Sequence, residues 1–464
     1  MKHSADRLAH ESILSNAREI LRFTAPLVAA SVITALNGFT DSFFLARFSD
    51  AAMRAALPAN TFAGFVTTIV VVAVGYCGTM LARALGGGSR ARAVAIAANG
   101  LLLAAVSSAL FAAAIPLSRV VLGLFGHADG IARLEETLAA IMLAGGPLAA
   151  AAAVCAGFFS GQGLTRTVWR VTFLGIAVKI LLTPLLVFGS GPLPEMGIAG
   201  SGVSFIAAQL VVCTTYAVAA CRNPLARLAF RRPRLLRIRP GILGNILGSG
   251  LPLSASMVVG YGSFFALVSL VGRLDPASVA ASTAVFAINC PFNAVITGMS
   301  EGVEIICGRR HGERNVDAVV RTTKVACLLS SGMSLLYVVA LTLAGRTALG
   351  WFLPSGETLD EARYFAVGIG VVAMLAFRIA FEFVQHVLEA AMRGMGNTSG
   401  VFISTVATSV GAWIPGCVVS TLFFPSAVAF WATMVAAALL GCICDLALLS
   451  RSVRHYAKLS VCRV

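Results

Sequence analysis

The sequence predicts an all-α polytopic membrane protein, with twelve transmembrane helices in two six-helix bundles related by a pseudo-two-fold axis along the membrane normal. Three observations carry this expectation. Of 464 residues, 58% are hydrophobic and 12% charged, and mean hydropathy is +0.88, more apolar than a wetted globular surface allows. Apolar stretches of roughly 20 residues, enough to cross about 30 Å of hydrocarbon, recur from Leu21 to Leu449 with short polar breaks. The chain also repeats itself at offsets of 224 to 233 residues.

The spans, in order, are 21–46, 57–82, 94–117, 134–159, 170–189, 197–221, 246–271, 278–307, 318–345, 364–391, 399–423 and 427–449. They lack the period-two alternation of barrel strands. The 45 glycines and abundant alanines suit helices packed closely in lipid. The resulting organisation is a cytoplasmic lead-in at 1–20, a bundle at 21–221, a basic linker at 222–245, a second bundle at 246–449 and a cytoplasmic tail at 450–464. The lead-in carries Asp6, Glu11 and Glu19, and the first apolar stretch is too long for a cleaved signal peptide.

Charge sets the orientation. The net charge of +15 lies in short loops between apolar segments and not on one solvent face, which argues against a nucleic-acid partner. The linker holds Arg222, Arg227, Arg231, Arg232, Arg234, Arg237 and Arg239 with no acidic residue, so it reads as cytoplasmic. Arg83, Arg90, Arg92, Arg166, Arg170, Arg309, Arg310 and Arg314 fall on the same side. Loops 190–196 and 424–426 have no Arg or Lys, and the one after Arg346 carries Glu357, Asp360 and Glu361. Both termini are therefore expected in the cytoplasm, with the protein in the inner membrane. The eleven cysteines are scattered through apolar stretches, and Cys442-x-Cys444 is a weak pair without metal-ligand spacing.

The internal repeat has three anchors in one order. Pro26 in "APLVAAS" answers Pro252 in "LPLSASM"; Gly88 in "GGGSRARAVA" answers Gly312 in "RHGERNVDAV"; and Gly161, Gly163 and Thr165 answer Gly394, Gly396 and Thr398. An even number of helices per half makes the repeats parallel, and substrate sites in such proteins lie near the midplane at the repeat interface.

These motifs resemble the multidrug and toxic compound extrusion (MATE) family. The resemblance spans nearly the whole chain: Pro26 with "NGFTDSFFLARF", then "GGGSRARA", "GQGLTRT", "PLLVFGSGPLPEMGIAG" and "LEAAMRGMGNTSG". It implies a cation-coupled secondary antiporter that exports a small organic solute in exchange for H⁺ or Na⁺ by rocking its two halves. No cofactor is implied beyond the coupling ion, the expected partners are substrate and membrane lipid, and the functional unit is expected to be a monomer. Flippases of the wider superfamily, which move lipid-linked or amphipathic precursors, share the architecture and are the alternative.

Ionisable residues inside a span are costly and usually face a cavity, which makes each a candidate. Asp41 matches the acidic residue that MATE transporters carry in the first helix, where it is implicated in ion coupling; the other reading is a helix-end residue in headgroup water. Lys179, mid-way along the fifth helix, stands where the family typically has Asn, and Thr183 replaces a frequent Asp. Its ammonium pairs with Asp41, occupies the place of a bound sodium, or snorkels toward an interface, and pairing puts simple proton coupling through Asp41 in doubt. Glu301 and Glu304 share a helix face; either they line a cavity, or one approaches Arg309 and Arg310 at the cytoplasmic end. The tenth helix bears Arg378, Glu382, Gln385, His386, Glu389 and Arg393 along one stripe that cannot face lipid. Glu382 falls where the sodium-coupled branch carries an acid, although Gly260 occupies the place of that branch's second acid. Arg378 could neutralise Glu382 in a structural ladder, and His386 could relay protons or hold a plain hydrogen bond. Pro26 and Pro252 are hinge or bending positions. His386 is the lone mid-span histidine and no Walker-type glycine loop is present, so neither an intramembrane enzyme nor an ATPase is expected.

Overall fold

A computed structural model describes residues 2–124, 127–189, 194–353 and 360–461. Loop positions 190–193 and 354–359, Glu357 among them, lie outside the described residues. Among the described residues, twelve helices are long and apolar enough to cross a membrane: α1 (Lys2–Phe48), α2 (Asp50–Gly86), α3 (Arg90–Gly123), α4 (Asp129–Gly161), α5 (Thr165–Phe188), α6 (Ile198–Arg222), α7 (Pro240–Val271), α8 (Pro276–Gly312), α9 (Val316–Trp351), α10 (Glu361–Met395), α11 (Thr398–Phe423) and α12 (Ala427–Val461). Most exceed the predicted spans, because good helix formers continue past the apolar stretch until a cap or glycine stops them. Residues 2–20, set apart by the sequence as a lead-in, belong to α1; no proline or glycine interrupts the chain before Pro26.

The helix ends show how the sequence stops and restarts. Asn315, Asn397, Asp360 and Asp275 each cap a following helix through a side-chain oxygen. After α2, Gly88 N–H donates to Leu85 O and Ser89 N–H to Ala84 O; after α8, Arg314 N–H donates to His311 O and Asn315 N–H to Arg310 O. The equivalent turns are thus 226 residues apart, and the left-handed residue Gly88 (φ 75°) is answered by Arg314 (φ 59°), not by Gly312. The sequence aligned the glycines, whereas the backbone aligns the conformations. The second turn keeps its predicted register: Gly163 (φ 86°) and Gly396 (φ 92°) close matching α4 and α10 ends. In α11 a π turn at Ser409–Trp413 precedes Pro415, whose ring and missing N–H an unbroken α-helix could not accommodate.

The chain forms two compact units, Pro26–Ser254 and Met1–Ala25 with Ala255–Val464. The boundaries at 221 and 246 expected from sequence differ from these, because the chain passes between units inside helices α1 and α7. Residues up to Ala25 pack in the C-terminal unit, where Thr24 fills the gap left by Gly302 of α8. Residues 246–254 pack in the N-terminal unit, where Gly250 closes on Ala73 of α2 and Ser254 Oγ donates to Ile69 O at 2.7 Å. Thr24 and Gly250 are 226 apart, and Pro26 and Pro252 lie beside the two crossings.

In the N-terminal unit α4 is the central helix, packed on α2, α3 and α6; in the C-terminal unit its repeat counterpart α10 packs on α8, α9 and α12. Glycine permits the closest approach, since a Cβ on Gly78 of α2 would stand 2.7 Å from Gly157 Cα of α4. The central helices differ in chemistry. Between Glu136 and Gly161, α4 carries no charged residue, whereas α10 carries the polar stripe.

Candidate functional site

In the N-terminal unit, helix spacing brings α1, α5 and α6 together at Asp41. Lys179 Nζ donates to Asp41 Oδ2 at 2.6 Å, and Ser201 Oγ donates to Asp41 Oδ1 at 2.7 Å. Both charged side chains are buried, at 4% and 2% exposure. A short polar ladder continues from there, with Thr183 Oγ1 donating to Lys179 O at 2.8 Å and standing 2.9 Å from Ser204 Oγ. The Phe205 ring lies 5.9 Å from Nζ. Of the three readings of Lys179, the structure has the pair with Asp41. That pair is internally neutral, with both carboxylate oxygens occupied, so removing either partner would strand a buried charge.

The C-terminal unit has the opposite balance. On α10, Arg378 donates to Glu382 Oε1 at 2.5 Å, and His386 Nε2 stands 4.0 Å from the same oxygen. His386 Nδ1 stands 3.6 Å from Glu389 Oε2, which Arg393 approaches at 3.5 Å while Gln385 donates to Glu389 Oε1 at 3.2 Å. Arg393 Nε then reaches across to α8 and donates to Glu304 Oε2 at 2.8 Å. This is a continuous ladder of alternating charge, built because residues three and four apart share one helix face. Glu304 therefore pairs with the α10 arginine, while Arg309 pairs with Glu313 and Arg310 with Glu19. Glu301, one turn before Glu304, has no ion pair among the described residues.

Sequence reasoning missed Asp445 of α12. It is fully buried beside the Ser404 hydroxyl, it makes no ion pair among the described residues, and Glu389, His386 and Arg393 are its electrostatic neighbours. The signal was available: Asp445 is the lone acid within 427–449, the same observation that singled out Asp41. Counted together, Glu301, Glu304, Glu382, Glu389 and Asp445 face two arginines and one histidine. A buried carboxylate without a cationic partner is completed by positive charge, either a proton or a cation. Among the described residues, the acids of this cluster thus outnumber the basic side chains beside them. Glu135 of α4, also missed, is a separate buried acid whose Oε1 meets His127 Nδ1 at 2.7 Å.

Comparison with known proteins places this arrangement. The MatE family profile matches residues 26–185 and 252–419, the two repeats without the linker. A probable multidrug resistance protein NorM of Pseudomonas putida is 25% identical over 89% of this chain and 89% of its own length. A protein of the same name from Thermotoga maritima is 23% identical over 90% and 88%. Among solved structures, a MATE in a bent conformation superposes with a TM-score of 0.85 at 18% identity, covering 95% of this chain and 96% of that one. A MOP superfamily transporter from Pyrococcus furiosus superposes at 0.84 and 18% identity over 95% and 97%. With both repeats matched and twelve apolar spans in place, the chain is an integral multi-pass membrane protein of the MatE family.

Proposed function

We propose that the protein is a secondary active antiporter that exports a small organic solute in exchange for H⁺ or Na⁺, with the coupling ion held by the carboxylates of α8, α10 and α12. The observation that carries this reading is the acidic surplus around Glu382, Glu389 and Asp445, set against an N-terminal site in which Lys179 already neutralises Asp41. Ion binding discharges the surplus, and a conformational change follows only where the two states differ in affinity for that ion. Pro26 and Pro252, beside the two crossings between units, are the bending points of alternating access. The names of the NorM relatives support a drug-like or metabolite substrate. The Lys179–Asp41 pair offers that substrate fixed charges of both signs, and so suits zwitterionic as well as cationic solutes.

The remaining assignments follow from the sequence. The arginine asymmetry supports cytoplasmic termini in the inner membrane. The arginines lie in short loops and not on one solvent face, which supports a protein that works without a nucleic-acid partner, and the reading takes the working unit as a monomer. The test is transport in inside-out vesicles with a panel of fluorescent organic cations, anions and zwitterions, comparing proton-driven with sodium-driven uptake. Uptake that follows one ion gradient supports antiport. Uptake that ignores both gradients, or movement of a lipid-linked precursor instead, overturns it.

A further inference from the structure

On the linker side, the helix ends and loops of the N-terminal unit from Arg83 to Gly244 hold twelve arginines and no Asp, Glu or Lys. Orientation in the membrane accounts for the sign of this charge but not for its fixed geometry. The elbow between the linker and α7 is clamped: buried Asn99 of α3 donates to Arg237 O at 3.4 Å and accepts from Arg239 N–H at 3.0 Å. Asn99 is itself held by a bond to Ala95 O at 2.8 Å. The clamp sets Arg239 opposite Arg92 across an open cleft of about 570 Å³ that lies between the starts of α3 and α7. Both arginines are exposed, and neither makes an ion pair among the described residues. Beside them Leu236 and Ile238 stand 51% and 64% exposed, apolar residues interleaved with arginines next to the starts of two membrane-length helices.

We propose that this cleft seats the phosphate headgroup of an anionic phospholipid in the leaflet on the linker side, with Arg92 and Arg239 as its ligands and Leu236 and Ile238 entering the acyl region. Arginine forks match phosphate oxygens in pairs. Basic residues near an anionic bilayer surface each strengthen attachment roughly fivefold, an attraction that salt screens. A zwitterionic headgroup brings its own cation into a cluster with no acid to receive it, which selects for net negative lipid. At about 570 Å³ the open cleft is large enough for a headgroup.

Native mass spectrometry of the full-length protein in detergent, titrated with phosphatidylglycerol, phosphatidylcholine or inorganic phosphate, tests the assignment. The wild type should retain phosphatidylglycerol in strong preference to phosphatidylcholine, and Arg92→Gln/Arg239→Gln should cut that preference by about 25-fold. Asn99→Ala, which frees the elbow without removing charge, should lower it in part. Arg309→Gln/Arg321→Gln, which removes two exposed charges from the other unit, should leave it unchanged. The proposal is overturned if the Arg92/Arg239 variant keeps the wild-type preference, if the Arg309/Arg321 variant loses as much, or if inorganic phosphate displaces the lipid at equal concentration. The arginines are exposed, so the decisive variant does not depend on tolerating the Asn99 change.

Discussion

Lys179 Nζ stands 2.6 Å from Asp41 Oδ2, closing a buried charge pair between α5 and α1 across 138 residues of sequence. Breaking such a pair by removing one partner costs about 3–5 kcal/mol, because the other charge stays buried, while replacing both by neutral groups of similar shape recovers much of it. Asp41→Asn and Lys179→Met should therefore each lower the unfolding temperature in detergent, and the double variant should lie closer to wild type than either. Additive losses in the double-mutant cycle would show that the pair is not coupled.

Arg314 holds a left-handed backbone (φ 59°) at the position where the first repeat has Gly88. A side chain there costs about 1 kcal/mol that glycine avoids, offset in part by glycine's greater freedom in the unfolded chain. Arg314→Gly should leave stability unchanged or raise it by up to about 1 kcal/mol, whereas Gly88→Arg should lower it. Thermal unfolding of the two variants decides; a destabilised Arg314→Gly contradicts the repeat register.

The contact of α2 with α4 depends on the absence of side chains at Gly78 and Gly157, where an added Cβ would lie 2.7 to 2.9 Å from the facing Cα. Backbone atoms cannot rotate away as a side chain can. Gly78→Val should destabilise the N-terminal unit by at least about 1–3 kcal/mol. Gly64→Ala, on the same helix with open space at its Cβ, serves as the control and should be nearly neutral.

Asp275, in the loop between α7 and α8, receives Ser278 Oγ–H at 2.8 Å and Arg363 at 3.0 Å. Burial pushes its carboxyl up, but the Ser278 hydrogen bonds and the Arg363 guanidinium outweigh that and hold it below the usual carboxylate range. A lowered folded value means the stabilisation is present above the unfolded carboxyl value of about 3.9 and is lost as pH falls through the folded one. Asp275→Asn should thus be less stable than wild type by an amount that is constant from pH 5 to 8 and shrinks on acidification below about 4. A gap that grows on acidification would contradict the sign.

What could be read from sequence follows from which forces act along the chain and which act across it. The twelve spans were legible because lipid imposes length and composition on every helix separately. The Gly163 and Gly396 turns were legible because a left-handed position selects glycine; the Gly88 register slipped by two residues because Arg314 tolerates the strain that glycine would avoid. The α10 stripe was legible as a face, since its spacing is local. Its partners were not: Glu304 and Arg393 meet across 89 residues, and although Asp445 stands out as the lone acid of its span, nothing local says that α12 turns it toward the stripe. The Lys179 pairing could be named only as one of three outcomes, because depth in the membrane is visible in sequence while helix rotation is not. The crossings at α1 and α7 were hidden for the same reason, since a continuous apolar helix carries no sign of which unit it packs in.

The central claim is that coupling resides in the carboxylates of the C-terminal unit and not in the Asp41–Lys179 pair. Its most direct measurement is gradient-driven solute uptake into inside-out vesicles by four proteins: wild type, Glu382→Gln, Asp445→Asn and the neutral double variant Asp41→Asn/Lys179→Met. Solute exchange without a gradient serves as the control for folding and access. The account predicts that Glu382→Gln and Asp445→Asn keep exchange but lose at least tenfold in gradient-driven uptake, and that the double variant keeps its response to the gradient even where its rate falls. Gradient-driven uptake that survives in Glu382→Gln and Asp445→Asn but vanishes in the double variant would contradict it.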